Sequence, residues 1–180
     1  QQVGNNSTAT LKTTTELKLY KKGYKFVGWK ESVADLDVKY ADGASINIAT
    51  TKTTISLFPV FKAINYKVNF HDMNGEILTS RTETYGKNGT AVHYDSYAEL
   101  PEGKRNAGWA YSADASLPDI KEGYSYINLS SVDGEEINLY PVIKKTGEFT
   151  VNMYSFGENC STVNITTASY DDDTYALPSQ

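Results

Sequence analysis

The chain has 180 residues, 39% of them hydrophobic and 22% charged, with 17 Lys and Arg against 22 Asp and Glu for a net charge of −5. That is too apolar for a disordered polymer, no run reaches the roughly 18–20 apolar residues a membrane helix needs, and an acidic chain with dispersed lysines argues against a general nucleic-acid binder. The single cysteine, Cys160, excludes an internal disulfide and a Cys-based zinc site, and the two histidines, His71 and His93, leave little for a metal cage or a nucleophile–His pair.

Fourteen Tyr and 6 Phe, with many Thr and Val, suit pleated, half-buried strands, and 13 Gly with Asn and Asp supply turns. In chain order, Gln1–Tyr20 matches nothing else in the sequence and is expected to be a substitute edge strand or a lead-in. Residues 66–70 alternate apolar and polar, the period of a strand with one buried face. Asp72-Met-Asn-Gly75 follows, and Asn-Gly predicts a tight hairpin turn because both residues tolerate positive φ. Ile77–Tyr85 is the returning strand, and Gly86–Gly89 a loop. Residues 90–100 lack strict alternation and are expected to form a short helix or an irregular crossover. Strands are predicted around Trp109, over Tyr124–Leu129 and over Ile137–Ile143, where Pro141 calls for an edge position or a bulge. The predicted class is mainly β or α+β, with four to five strands and at most one short helix or crossover per module.

An internal repeat sets the module length. Gly23-Tyr-Lys-Phe-Val-Gly-Trp29 reappears as Gly103-Lys-Arg-Asn-Ala-Gly-Trp109, eighty positions later. Ile46-Asn-Ile48 aligns with Ile127-Asn-Leu129, and Ile55-Ser-Leu-Phe-Pro-Val-Phe-Lys62 with Ile137-Asn-Leu-Tyr-Pro-Val-Ile-Lys144, where five of eight residues are identical. Tyr66-Lys-Val-Asn-Phe70 corresponds to Phe149-Thr-Val-Asn-Met153. The chain therefore reads as a first repeat over 1–62 whose early half is diverged or missing, a complete repeat over 63–144, and the early half of a third over 145–180. Such an array is expected to be a fragment of a longer one, or to have diverged terminal units.

These landmarks resemble the Listeria–Bacteroides repeat, or internalin B-repeat family: Tyr66, Val68, Phe70, Asn74 and Gly75; Gly23, Tyr24, Phe26, Gly28 and Trp29; and Leu139, Tyr140, Pro141 and Val142. The resemblance covers about residues 20–170. The second unit departs from it at Lys104 and Asn106, and the family's closing Tyr-Ala-x-Trp is absent. What the resemblance implies is a β-grasp-like module of bacterial cell-surface and secreted proteins, used for spacing, adhesion or partner contact rather than catalysis. Neighbouring units joined by short linkers would form a semi-rigid array, in which weak contacts add through effective concentration. The extracellular reading expects that a signal peptide was cleaved or lies outside this stretch.

Candidate side chains sort accordingly. Trp29, Trp109, Phe70, Leu57 and Leu139, with Gly28 and Gly108 allowing close backbone approach, are the expected core. Tyr94, Tyr97, Tyr111, Tyr124 and Tyr126 are the expected binding face if the chain recognises a glycan or a protein, since tyrosine supplies rigid amphipathic contact area. Asp171-Asp-Asp173 and Asp72-Met-Asn-Gly-Glu76 offer hard oxygen ligands but no complete calcium-loop spacing, so both read as turns. No catalytic, cofactor or metal residues are assigned. His71 and His93 are expected to be solvated or locally hydrogen-bonded, and Cys160 a quiet thiol. The expected function is a non-catalytic spacer and adhesion segment of a bacterial surface or secreted protein. The alternative is an accessory carbohydrate- or protein-binding module. Expected partners are a host or cell-surface protein or glycan, with no nucleic acid and no membrane insertion, and the chain is expected to be a monomer or a weak strand-edge dimer.

Overall fold

The computed structural model describes residues 8–48 and 54–146, together with the backbone of 148–154 and 162–169. Among these residues the chain is mainly β, and no helix is long and apolar enough to cross a membrane. The strands are β1 (Thr8–Thr10), β2 (Tyr24–Lys30), β3 (Ser45–Asn47), β4 (Phe58–Ala63), β5 (Asn65–His71), β6 (Ile77–Thr84), β7 (Asn88–Thr90), β8 (Lys104–Ala110), β9 (Ile120–Lys121), β10 (Ser125–Ile127), β11 (Glu136–Lys145), β12 (Glu148–Tyr154) and β13 (Thr162–Ser169). They fall into two compact units that interlace along the chain. One holds the described residues of 1–67, 82–87 and 127–135, the other those of 68–81, 88–126 and 136–180.

In the first unit β1 pairs antiparallel with β3, placing Ala9 opposite Ile46, and β2 pairs antiparallel with β4. The β2–β4 register shifts between Phe26 and Gly28. Gly28 has φ +146°, and a Cβ there would lie 2.5 Å from the Tyr40 carbonyl oxygen. Only glycine lets the Tyr40 backbone close on Trp29, whose N–H bonds the Tyr40 carbonyl at 2.7 Å. Around Trp29 the packing is aromatic: the Phe26 ring meets it edge-on at 5.1 Å and Phe61 meets Phe26 at 5.8 Å. Among the described residues the buried Trp29 indole N–H has no partner. Leu57, expected in the core, is only half-buried.

The second unit is centred on Trp109, which is fully buried. Phe70 packs edge-on against it at 4.8 Å, Tyr94 stacks at 6.2 Å, and its indole N–H donates to the Val92 carbonyl at 2.8 Å. The strand order of the main sheet is β6-β5-β11-β8-β9. Gly134 bonds Asn65, Lys67 bonds Glu135, and Asn69 and His71 both bond Asn138, so β5 and β11 run in the same direction. Pro141 lies in a central strand, not at an edge, and the β11–β8 register shifts between Pro141 and Ile143. The bulge lets the missing N–H be accommodated.

The β5–β6 turn differs in detail from the two-residue hairpin expected. Only Gly75 has positive φ, +86°, while Asp72 and Glu76 close the loop through a 2.7 Å backbone bond. Asp72 replaces the second positive-φ residue with side-chain chemistry, its Oδ1 accepting from the N–H groups of Asn74 and Glu76, each at 2.8 Å. The expected crossover is one 3-10 turn, Tyr94–Ser96.

Several local bonds recur at a spacing of eighty residues. Leu11 N–H donates to Ala44 O at 2.9 Å, and Ala91 N–H to Tyr124 O at 2.9 Å. Trp29 bridges Tyr40 as Trp109 pairs with Ile120. Thr14 N–H donates to the Asp42 carboxylate at 2.9 Å, and Tyr94 N–H to the Glu122 carboxylate at 2.6 Å. Gly108 has φ +148°, and a Cβ on it would lie 2.3 Å from the Ile120 carbonyl oxygen.

Candidate binding surface

The five tyrosines of the expected face divide. Tyr94 is 1% exposed and Tyr126 6%, so both belong to the core and leave the proposed face. Tyr94 stacks on Trp109, and the Tyr126 ring lies so close to Gly89 that a Cβ there would fall 2.3 Å from it. The alignment of Ile46 with Ile127 hid Tyr126 by one residue: the structure matches buried Ile46 to Tyr126, eighty positions later, and leaves Ile127 exposed. Tyr97, Tyr111 and Tyr124 are exposed and come from three different connections: after the 3-10 turn, after β8 and before β10. Of the expected core, Trp29, Trp109, Phe70 and Leu139 are buried, as are Gly28 and Gly108.

In the second unit an open cleft of about 460 Å³ lies between the Asp72–Gly75 turn, the Ala113–Ala115 loop and the Tyr140–Ile143 stretch of β11. Its aromatic wall is fixed from behind. Tyr140 stacks on His71 with ring centres 4.7 Å apart. His71 is held in turn, with Nδ1 2.8 Å from Gly75 O and Nε2 2.9 Å from Asn138 Oδ1. The buried Asn69 amide extends this network, donating to Glu136 and Asn138 and accepting from Ser80. The His71 ring thus joins turn to sheet, and Tyr140 is presented as a pre-oriented ring.

The polar groups of the cleft are less available than their number implies. The Glu76 N–H, foremost, and the Asn74 N–H hold the Asp72 carboxyl below its usual range. That carboxylate is occupied by its own turn. Asp114 is the other acidic residue lining the cleft. Among the described residues no three acidic, His or Cys side chains gather to hold a metal ion. His93 is exposed, with Nδ1 3.8 Å from Glu122. Asp171–Asp173 and Cys160 lie outside the described residues.

Sequence reasoning missed a set of exposed apolar side chains in the loops that follow the two Gly-Trp strands. Val33 and Leu36 stand out after β2, Leu36 at 96% exposure, and Leu117 after β8. An apolar residue in a loop carries no periodicity, so no sequence pattern marked them. No family model matches the chain, and no curated protein matches it.

Proposed function

We propose that this chain is a non-catalytic tandem-repeat segment of a bacterial cell-surface or secreted protein, acting as a spacer and adhesion module built from a β-grasp-like unit. The observation that carries the reading is the recurrence, eighty residues apart, of one frame: the Gly-Trp strand, its bridge to a following residue, and a carboxylate bonded to the crossover turn. The frame is kept while the residues outside it change, which suits a scaffold whose copies are selected for fold. The parallel neighbours β5 and β11, opening and closing the second module, support the β-grasp-like description. The sequence resemblance to the Listeria–Bacteroides repeat supports the surface location and the bacterial source.

A second reading, a carbohydrate- or protein-binding module, is favoured by the pre-oriented Tyr140 in its cleft and by exposed Tyr97, Tyr111 and Tyr124. Binding of the whole chain to an array of glycans and extracellular-matrix proteins separates the two. The spacer reading expects no saturable binding by a single chain. Saturable binding that Tyr140→Ala or Tyr124→Ala abolishes, with the melting curve otherwise kept, would replace it with the second.

A further inference from the structure

The main sheet and the β2–β4 pair differ by one hairpin. β11 lies between β8 and β5, whereas β4, which its register partners place eighty-two positions earlier, pairs only with β2 among the described residues. Among the described residues, no strand covers on β4 the side that β5 covers on β11. Burial follows the difference: Leu139 is 0% and Val142 4% exposed, while their counterparts Leu57 and Val60 are only half-buried. A strand with an uncovered edge and a half-exposed apolar row is a template for an added strand.

The chain also carries a second hairpin of the kind that covers β11. β12 and β13 form an antiparallel hairpin that pairs with no third strand among the described residues. Its first strand is the sequence counterpart of β5, with Phe149, Val151 and Met153 at the positions of Tyr66, Val68 and Phe70, and Asn152 at that of Asn69. In β5 these three apolar positions are buried, together with Asn69 and His71.

We propose that the β12–β13 hairpin of one copy seats on the open edge of β4 in a second copy, with β12 parallel to β4 as β5 is to β11. This rests on the modular reading above and deepens it by naming the partner as another copy of the same chain. Among the described residues each copy offers this edge on β4 and this hairpin at β12–β13, two different surfaces, so the contact is heterologous. Repeated, it builds open-ended chains of copies and not a closed dimer.

Sedimentation velocity of the full chain from about 10 μM to about 1 mM tests this. Two variants carry the decision. Leu57→Lys charges the edge at a residue outside the β2–β4 ladder, and Val151→Lys charges the hairpin. The unaltered protein is expected to grow past dimer as concentration rises, and each variant to stay monomeric with its far-ultraviolet spectrum kept. Mixed in equal amounts, the variants retain one good edge and one good hairpin between them, so the expected product is a heterodimer that grows no further. A monomer throughout the range overturns the proposal, as does a dimer that survives Val151→Lys, which would mark symmetric edge-to-edge pairing. Neither result decides whether the chain binds glycans or matrix proteins, which the array measures separately.

Discussion

Trp29 and Trp109 hold equivalent places, yet their indole N–H groups meet different fates. That of Trp109 donates to the buried Val92 carbonyl, whereas that of Trp29 has no partner among the described residues. Replacing Trp109 by Phe strands the Val92 carbonyl as well as shrinking the ring, and a buried polar group without a partner costs about 1–3 kcal/mol. Replacing Trp29 by Phe removes a donor that was already unsatisfied. Trp109→Phe is therefore expected to destabilise the protein by at least about 1 kcal/mol more than Trp29→Phe, measured by circular dichroism in urea. Equal losses would mean that the Val92 bond adds nothing.

Asp72 is the residue whose acid behaviour the turn dictates. Its folded-state carboxyl titrates below the ordinary value, chiefly because Glu76 N–H and then Asn74 N–H bond the charged form. A depressed carboxyl stabilises the fold above its unfolded pKa, about 3.9, and that contribution is lost as pH falls through the lower folded value. Melting temperatures recorded from pH 5 down to about pH 2.5 should therefore fall less steeply for Asp72→Asn than for the unaltered chain. Asp133, lowered first by its bond from Lys25 and then by Asn65 N–H, contributes with the same sign, so the acid limb should be shallower and not abolished. An unchanged slope in Asp72→Asn would show that the turn's carboxylate is dispensable.

Among elements, the short strand pairs show how a repeat keeps a shape while exchanging volumes. Ala9 faces Ile46, and eighty positions later Gly89 stands against Tyr126. The larger side chain in β10 is matched by the smaller in β7, as close packing demands. Gly89→Ala alone should overpack the site, at a cost of about 1–3 kcal/mol. Adding Tyr126→Ile, which recreates the Ala9–Ile46 pair, is expected to recover most of that loss. A double-mutant cycle in urea reads the coupling, and strictly additive effects would refute the compensation.

This pair also explains what sequence reading reached and what it did not. Residues 66–70, 77–85, the region around Trp109 and 137–143 carried alternation or the repeated Gly-Trp and Pro-Val landmarks, and the structure has strands there. β1 was illegible because it has three residues and one inward position, and only Thr10 is identical to its counterpart, Thr90. Its pairing is set by Ile46 across the gap, a tertiary fact. The candidate surface was less legible than the fold. Tyrosine is equally at home in a core or on a face, so the type of residue at 94, 97, 111, 124 and 126 could not divide the buried two from the exposed three. The Tyr140–His71 stack joins residues sixty-nine positions apart and has no local signature.

At the scale of the whole molecule, the two tryptophans report on cores of unequal closure. Trp109 packs against Phe70 and Tyr94, and both rings and Leu139 of the same unit are buried, whereas Leu57 and Val60 in the first unit are half-buried. Fully burying such a side chain is worth about 1.5–3 kcal/mol, so two half-buried residues forfeit roughly 1.5–3 kcal/mol together. The Trp29 region is thus expected to unfold at lower urea than the Trp109 region. Each variant above leaves one fluorophore: Trp109→Phe leaves Trp29, and Trp29→Phe leaves Trp109. Within Trp109→Phe, the Trp29 emission midpoint should lie below that variant's own circular-dichroism midpoint, and coincidence of the two probes in both variants would mean that the chain melts as one block. Concentration then adds a second axis. A strand seated on β4 binds the folded state only, and mass action raises stability where such a ligand binds. The Trp29 midpoint should climb with protein concentration, and Leu57→Lys should flatten that climb.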